Sequence, residues 1–416
     1  MLAQNPPLPS NVPSTLNFSF GDFGTRVLEG TEVKAIAVLK AEGVNQGKII
    51  GVISTSTGTF KLFRLNKSGV LDTTFGPTQT GYSEDRFGET TSLSTPSGLT
   101  VIDNDQILVT GHVRDSSLAP SDPAAALFNQ NGSANLVFGK FRFNAPVPTA
   151  DQMLASADEQ TSSTDSFATA KPTTGKILFC VKNNVPGPHR NWGLLIQLTL
   201  EGTLDTALAG RGYIFFRHNN QNTTSVDVVT QTNGRIILAG STDTQGFLAG
   251  YTPTGQIDIS FGKEAGITPL SSVEGPVRVN KILLQPDDKL IAVGTVSNAS
   301  NGWISRKRSD GNDDPTFNDS EDVITKIPFR KLQWTSAAID SNGAIVASGE
   351  ADARLCIVGR ITKDGLIDTT FSHTGISDPN AEHTPNRTTS IGLQSSSQII
   401  VAGGKASEPS VTCYHG

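Results

Sequence analysis

The sequence repeats one short apolar segment seven times, and this repetition limits the possible folds more than any other feature. Each copy has four or five residues rich in Ile, Val and Leu, and five of the copies end in Gly. The copies begin at positions 49, 107, 177, 236, 290, 345 and 399, so they lie 54 to 70 residues apart. One period therefore accounts for the whole chain of 416 residues. This excludes three unrelated domains, which length alone suggests at roughly 150 residues per domain.

Each repeat holds four short strand-like pieces. A partly alternating run such as Val279–Leu284 precedes the apolar segment, and a third run ends in a turn such as Asn66–Gly69. Glycine suits the last position of that turn because it adopts positive φ at little cost. A fourth short piece follows, such as Leu71–Gly76. Four antiparallel strands in each of seven repeats predict an all-β fold, a seven-bladed β-propeller with four antiparallel strands per blade.

The two ends of the chain complement each other. The seventh repeat lacks its fourth piece, whereas Leu16–Gly21 matches Leu71–Gly76 of the first repeat. We therefore expect the N-terminal strand to complete the last blade and close the ring, which removes exposed strand edges. The prediction is a Pro-rich tail at 1–13 and a single propeller at 14–416. Its blades are expected at 32–76, 90–139, 164–210, 223–262, 277–318, 332–372 and 386–416, the last one together with 14–21.

The turn and the piece after it form a motif that resembles a known repeat. Residues 65–76 read L-N-K-S-G-V-L-D-T-T-F-G, and Thr362–Phe371 gives a second good copy. This pattern resembles the bacterial delta-60 repeat, although Asn135, Leu208 and Asp313 depart from it. The resemblance implies a propeller fold. It implies no single activity and transfers no catalytic residue.

Charge and hydropathy exclude several classes of protein. The net charge is −6 and the isoelectric point is about 5.6, which argues against a nucleic-acid-binding protein or a polybasic membrane-surface protein. No apolar run approaches the roughly 18 residues needed for a membrane span. Residues 1–10 have neither a basic start nor an apolar stretch, so they do not form a secretory signal. We expect a cytoplasmic protein, or one exported without a cleaved signal peptide.

The three cysteines are expected to be buried thiols. Cys180, Cys356 and Cys413 lie in apolar, strand-like runs, and an odd number of three does not make a disulfide framework.

Strand order in a propeller assigns the loops to two faces. The turns from first to second and from third to fourth strand lie on one face. The loops from second to third strand and the links between blades lie on the other, which we call the long-loop face. Binding residues concentrate on variable loops carried by a rigid scaffold, so we expect the binding site on the long-loop face. Its irregular segments are Asp115–Pro123, Lys140–Thr164, Asn183–Asn191, Arg211–Thr223 and Ser372–Asn386.

Histidine, arginine and tryptophan side chains on or beside these segments are the candidate binding residues. His and Arg donate hydrogen bonds to polar or anionic ligands, and an exposed Trp can stack on a sugar ring. Two alternative interpretations stay open: the histidines are solvated loop residues without a ligand, and the tryptophans pack between blades. No two histidines have the spacing of metal ligands on a helix, so we predict no metal and no cofactor. The candidates are His112, Arg114, His189, Arg190, Trp192, His218, Trp303, His373 and His383.

Acidic residues give no separate site. The stretch Asp310–Asp314 does not fit an EF-hand loop, because Pro315 stands where that loop needs Gly. One Asp recurs at the same place in several repeats, which favours a structural role in bonding turn N–H groups. These recurring residues are Asp72, Asp205, Asp258, Asp314 and Asp368.

The sequence contains none of the nucleophile-elbow, zinc-protease, P-loop or dinucleotide motifs. The leading hypothesis is a monomeric, non-catalytic binding or scaffold module for a protein or glycan partner, with no catalytic residue assigned. Two alternatives remain, a hydrolase or lyase with its site at the central channel mouth, and a leaderless secreted lectin or toxin component.

Overall fold

The computed structural model describes residues 12–117, 119, 121–144, 169–173, 175–184, 191–219, 221–352, 355–378, 385–405 and 408–416. These residues form β-strands and two single-turn 3-10 helices, at Asp103–Asp105 and Asn318–Ser320, and contain no α-helix. The predicted all-β fold is confirmed. The helices of the described part are too short to cross a membrane.

The strands follow one another in groups that match the sequence repeats. A short strand β1 (Thr25–Val27) comes first. Sheet 1 contains β2 (Glu32–Val38), β3 (Ile49–Ser54), β4 (Phe60–Leu65) and β5 (Tyr82–Asp85). Sheet 2 contains β6 (Leu93–Ile102), β7 (Gln106–Arg114), β8 (Asp122–Phe128) and β9 (Lys140–Arg142). Sheet 3 contains β10 (Thr169–Thr173), β11 (Lys176–Asn184), β12 (Asn191–Thr199) and β13 (Tyr213–Phe216).

The second half of the chain continues the series. Sheet 4 contains β14 (Thr223–Thr230), β15 (Ile236–Thr242), β16 (Gly246–Tyr251) and β17 (Ile267–Ser272). Sheet 5 contains β18 (Gly275–Leu284), β19 (Leu290–Val296), β20 (Asn301–Lys307) and β21 (Val323–Thr325). Sheet 6 contains β22 (Leu332–Ile339), β23 (Ile345–Ala351) and β24 (Leu355–Ile361). Sheet 7 contains β25 (Arg387–Ser395), β26 (Gln398–Lys405) and β27 (Glu408–His415).

Every sheet is an antiparallel meander in which strands adjacent in sequence pair. Sheet 7 takes its fourth strand from the N-terminal segment, because β1 pairs with β27 with Thr25 opposite Thr412. In sheet 6 a single bridge from Gly359 to Ile376 stands in place of a fourth strand. Sheets 4 and 5 join through a two-residue pairing of β17 with β18.

The core lies between consecutive sheets rather than inside any one of them. Each first strand contacts the first strand of the next sheet, from β2 through β6, β10, β14, β18 and β22 to β25, and β25 contacts β2. Clusters of buried apolar side chains fill the spaces between neighbouring sheets. One of these clusters contains Phe20, Ile36 and Ile400, so it joins the N-terminal segment, sheet 1 and sheet 7.

The predicted fourth strand Leu71–Gly76 is wrong, because this segment forms a turn and β5 begins later. Asp72 uses Oδ1 to accept hydrogen bonds from the backbone N–H (3.1 Å) and the hydroxyl (2.6 Å) of Thr74. Its Oδ2 accepts a hydrogen bond from Arg64 Nε at 2.8 Å. The same guanidinium lies 4.8 Å from the ring centroid of Phe75, which is fully buried. Side-chain bonds to the turn thus replace the ladder bonds that a strand would need.

Other repeats contain the same turn, which gives the recurring Asp its structural role. Arg306 Nε donates to Asp314 at 2.7 Å, and Arg360 Nε donates to Asp368 at 2.6 Å. The turn also joins neighbouring sheets. The N–H of Gly76 donates to the carbonyl oxygen of Asn131 in the next sheet at 2.9 Å.

The N-terminal prediction needs a related correction. Leu16–Gly21 is the equivalent turn of sheet 7, with a single bridge from Leu16 to Tyr414, and the paired strand is β1, starting at Thr25. The side chain of Asn17 takes the place of the recurring Asp and accepts the N–H of Ser19 at 3.1 Å.

Candidate functional site

The first strands surround a cavity of about 1700 Å³. Its wall includes residues of β2, β6, β14, β18, β22 and β25. These strands begin on the long-loop face, so the mouth on that face is lined by their first residues and by the ends of second strands. A typical small-molecule pocket has roughly 300–1,000 Å³. The cavity is therefore large enough for an extended ligand.

A β-bulge recurs at one register in these six strands. It inserts one extra residue opposite the second strand, which re-aims the side chain. Three of the bulged side chains bond to the next sheet: Asn280 to the carbonyl of Trp334 at 2.7 Å, Thr335 to Thr388 at 3.4 Å, and Thr389 to Val33 at 2.8 Å. The deeper polar wall of the cavity therefore holds sheets together. The bulged residues are Lys34, Ser97, Val226, Asn280, Thr335 and Thr389.

Two residues before each bulge, a ring of polar and charged side chains lines the mouth. Buried residues such as Val279 and Trp334 separate this ring from the bulges. The ring therefore marks the boundary between the wall that binds neighbouring sheets and the surface open to a ligand. It consists of Glu32, Thr95, Thr224, Arg278, Gln333 and Arg387.

The carboxylates at the mouth already accept hydrogen bonds from the protein. Glu32 pairs with Lys34. Asp243, at the end of the sheet 4 second strand, accepts the N–H of Asn222 at 3.1 Å.

Glu350 in sheet 6 accepts the N–H of Thr388 at 3.3 Å. Burial raises the pKa of Glu350, while that hydrogen bond and the charge of Arg387 oppose the shift.

The arginines at the mouth differ from these carboxylates. Arg114, Arg278 and Arg387 all line the cavity. Within the described part of the chain, none of the three forms an ion pair within 4.0 Å. Arg278 and Arg387 are exposed and Arg114 is half-buried. Their N–H groups therefore remain available to an acceptor from outside.

Two of the sequence-predicted site residues line this cavity. His112 and Arg114 lie at the end of β7, and the structure brings both to the mouth. His112 is largely buried, opposite Thr95 in the ladder. Arg114 is the more accessible of the two.

The other histidine candidates do not gather there. His218 is buried, its Nε2 lies 3.0 Å from Asn219 Nδ2, and burial lowers its pKa. His373 is exposed, but it precedes the bridge at Ile376, on the connection that leads to a fourth strand. That connection starts on the opposite face, so the prediction that His373 lies on the long-loop face is wrong. His189, Arg190 and His383 lie outside the described residues.

The tryptophan candidates are corrected to core positions. Trp192 is 4% exposed and Trp303 is fully buried, so neither ring is open to a sugar. Trp303 lies opposite Gly294, as Phe247 lies opposite Gly240 in the preceding sheet. Glycine leaves room for the aromatic ring on the strand beside it, which explains the shared register.

Sequence reasoning missed Arg278, Arg387 and Glu350. Each lies in or next to an apolar strand that the sequence marks as core. Only the register of the bulge shows which residue of that strand faces the cavity. Among the described residues, no group of three or more His, Cys, Asp or Glu is arranged to hold a metal ion.

Comparison with known proteins supports the fold. A family model described as "Domain of unknown function (DUF5122) beta-propeller" matches residues 47–75, which supports a β-propeller repeat family. None of the curated proteins matches the sequence.

Several solved structures are similar to this chain at low identity. Hydrazine synthase of Kuenenia stuttgartiensis has a TM-score of 0.52 at 8% identity, covering 94% of this chain and 97% of that one. Drosophila Plexin A in complex with Semaphorin 1b has a TM-score of 0.50 at 9% identity, covering 98% and 88%. An alpha-L-arabinanase of Penicillium chrysogenum complexed with arabinobiose has a TM-score of 0.46 at 10% identity, covering 99% of both chains. At these identities the likeness to the hydrazine synthase and Plexin A structures concerns the fold alone.

Proposed function

We propose that the chain is a non-catalytic binding module, a single seven-bladed propeller that takes a protein or glycan ligand at the cavity mouth on the long-loop face. Sheets 1 to 7 are the blades in this proposal, and the N-terminal segment closes the ring.

The contacts between the two ends of the chain support closure. First strands contact one another in an unbroken cycle that returns from β25 to β2. Across this junction Thr389 bonds to the carbonyl of Val33 at 2.8 Å, and the N–H of Gly21 donates to Ser68 at 2.8 Å. A closed ring keeps the first strands at fixed positions around one axis. Residues distant in sequence then line one rigid cavity.

The observation that carries the binding proposal is the unpaired charge at the mouth of a preformed cavity. Arg114, Arg278 and Arg387, which form no ion pair with the described residues, present their N–H donors around a volume of about 1700 Å³. Arg64, Arg306 and Arg360, by contrast, each bond to the recurring Asp of a repeat turn and stabilise the fold. Glu32, Asp243 and Glu350 accept hydrogen bonds from the protein. This pattern suits recognition better than proton transfer, which needs a carboxylate or imidazole free to reach a substrate.

The test places a bulky side chain in the mouth. Gln333 lies in the ring between Arg278 and Arg387 and is exposed, so Gln333→Trp should fill the mouth without disturbing the core. The matched control is Ile259→Trp, because Ile259 is 75% exposed in a repeat turn on the opposite face.

Purified wild-type protein and both variants are assayed on a glycan array and by thermal shift with the glycans that bind. We expect Gln333→Trp to lose binding and Ile259→Trp to keep it. Binding that survives in Gln333→Trp would overturn the proposed location. Turnover of a bound glycan would replace the binding module with the hydrolase or lyase alternative.

A further inference from the structure

Among the described residues, the charges at the mouth that form no ion pair are three guanidinium groups, those of Arg114, Arg278 and Arg387, against the carboxylates of Asp243 and Glu350, so positive charge predominates. Each guanidinium carries five N–H donors in a planar fork that matches carboxylate and similar oxyanions. Arg278 and Arg387 occupy the same register of sheets 5 and 7, on either side of Gln333 in sheet 6. Arg114 reaches the mouth from sheet 2, so the donors are spread around the rim rather than collected at one point.

We propose that the mouth binds an acidic oligosaccharide through its carboxylate or sulfate groups, with Arg278 and Arg387 as the main donors. The proposal rests on the proposed function above and specifies its ligand. Donors on several sheets suit a ligand that carries anionic groups at intervals along a chain. A single small anion would meet only one of them.

The rest of the rim favours a saccharide over an acidic peptide. It presents hydroxyl and amide side chains, among them Thr95, Thr224, Thr242, Asn191 and Gln333. Such groups bond to sugar hydroxyls. Protein interfaces are enriched in aromatic and apolar anchors in desolvated pockets, and no Phe, Tyr or Trp side chain lines the described part of the cavity. The same feature disfavours a neutral sugar, which relies on stacking against aromatic rings.

The acidic groups of the rim do not cancel this preference. Glu32 is neutralised by Lys34, and Asp243 accepts hydrogen bonds from Asn222. Glu350 accepts the N–H of Thr388. Each carboxylate thus forms an ion pair or accepts a hydrogen bond within the protein, whereas the three guanidinium groups form no ion pair with the residues that the structure describes. Exposed arginines also attract anions at longer range in low salt, because the Debye length increases as the ionic strength falls.

The experiment measures binding by isothermal titration calorimetry at 50 mM NaCl. The probes are tetragalacturonate for carboxylate, a heparin tetrasaccharide for sulfate, maltotetraose as the neutral saccharide, and a tetraglutamate peptide as the acidic peptide. The variants are Arg278→Gln and Arg387→Gln. The control is Arg308→Gln, whose side chain is 50% exposed in the turn after β20, on the opposite face.

We expect at least one acidic saccharide to bind, maltotetraose to give no heat, and affinity to fall at 500 mM NaCl. Each mouth variant should weaken binding about tenfold, the usual cost of losing a hydrogen bond to a charged group. Arg308→Gln should bind like wild type. Melting temperatures of all variants establish that the mouth variants are folded.

Three results would overturn the proposal. The first is that neither acidic saccharide binds. The second is that both mouth variants bind like wild type, and the third is that tetraglutamate binds more tightly than either saccharide. If maltotetraose binds, and its binding is abolished by Gln333→Trp but not by Arg278→Gln or Arg387→Gln, the proposed ligand class is wrong while the proposed function stands. If ligands bind and Gln333→Trp affects none of them, the proposed function fails as well.

Discussion

Closure of the ring by the N-terminal segment can be tested with one side chain. Phe20 is 1% exposed and packs in the apolar cluster that joins sheets 1 and 7. It also lies against Gly69 of sheet 1, where an added Cβ would come within 2.8 Å of its ring. Phe18, two residues earlier in the same turn, is 53% exposed. Phe20→Ala and Phe18→Ala therefore remove the same atoms from a buried and an exposed position.

The expected loss follows from the buried area. A phenylalanine buries about 150–250 Å², which at about 25 cal/mol per Å² corresponds to about 4–6 kcal/mol. Measured Phe→Ala changes in protein cores cost about 3–5 kcal/mol. We expect Phe20→Ala to lower the free energy of unfolding by about 4 kcal/mol and Phe18→Ala by less than about 1 kcal/mol. With an unfolding entropy of about 2.1 cal/mol/K per residue, the larger loss lowers Tm by about 4–5 °C.

The assay is urea unfolding followed by tryptophan fluorescence, with calorimetry for Tm. The three tryptophans, Trp192, Trp303 and Trp334, are all buried and report on sheets 3, 5 and 6, whereas the substitution lies between sheets 1 and 7. Equal destabilisation by the two variants would refute the packing of Phe20 at the junction. A large effect of deleting residues 1–9, which precede every described contact of the N-terminal segment, would refute closure by the turn and β1. Deletion of 1–21 should destabilise the protein strongly.

Three further perturbations probe the repeat turn and one exposed loop. Burial alone raises the pKa of Asp314, but hydrogen bonds from Thr316 and the charge of Arg306 lower it to about 2. This stabilisation, about 2 kcal/mol, is present above pH 4 and lost as pH falls through 2. In urea unfolding, Asp314→Asn should therefore destabilise the protein at pH 7 and hardly at pH 2. An equal loss of stability at both pH values would contradict the ion pair. In urea unfolding, Gly311→Ala should cost at least about 1 kcal/mol more stability than Gly139→Ala. Both glycines have left-handed φ, but only at Gly311 would an added Cβ clash, because it would lie 2.7 Å from a buried ring. Equal losses in the two variants would show that the turn relaxes freely. Phe329 has φ 61° and a fully exposed side chain. Because Asn tolerates this backbone conformation better than Phe, Phe329→Asn should raise stability by about 1 kcal/mol in the same assay. A loss of stability would mean that the ring of Phe329 makes a stabilising contact.

The repeat unit and its all-β character were readable from the chain because they depend on local patterns. Apolar alternation and turn glycines recur with one period, and each acts within a few residues. The recurring Asp was also interpretable, since a residue needed in every repeat serves the repeat. The short motif around Asp72 even shows its partners in sequence order, with Arg64 eight residues before it.

The same local reading placed the fourth strand too early. Leu71–Gly76 has strand-like composition, but Asp72 and Thr74 satisfy the turn through side-chain bonds. Sequence composition does not distinguish a short edge strand from a side-chain-capped turn. The distinction depends on Arg64, which reaches Asp72 from a neighbouring strand.

Periodicity alone is enough to establish the repeat and the order of the strands within it, but not the lengths of the loops: the connections from third to fourth strand, expected to be tight turns, span 66–81 in sheet 1 and 252–266 in sheet 4. Which side chains share a surface, in contrast, depends on how the sheets pack together. Arg114, Arg278 and Arg387 belong to three sheets, and they line one surface together with His112 only because the first strands surround one cavity. Just before the bulge in β18, Arg278 is exposed at the cavity mouth, whereas Val279 is buried. That choice is made by packing against the next sheet, which no local pattern encodes.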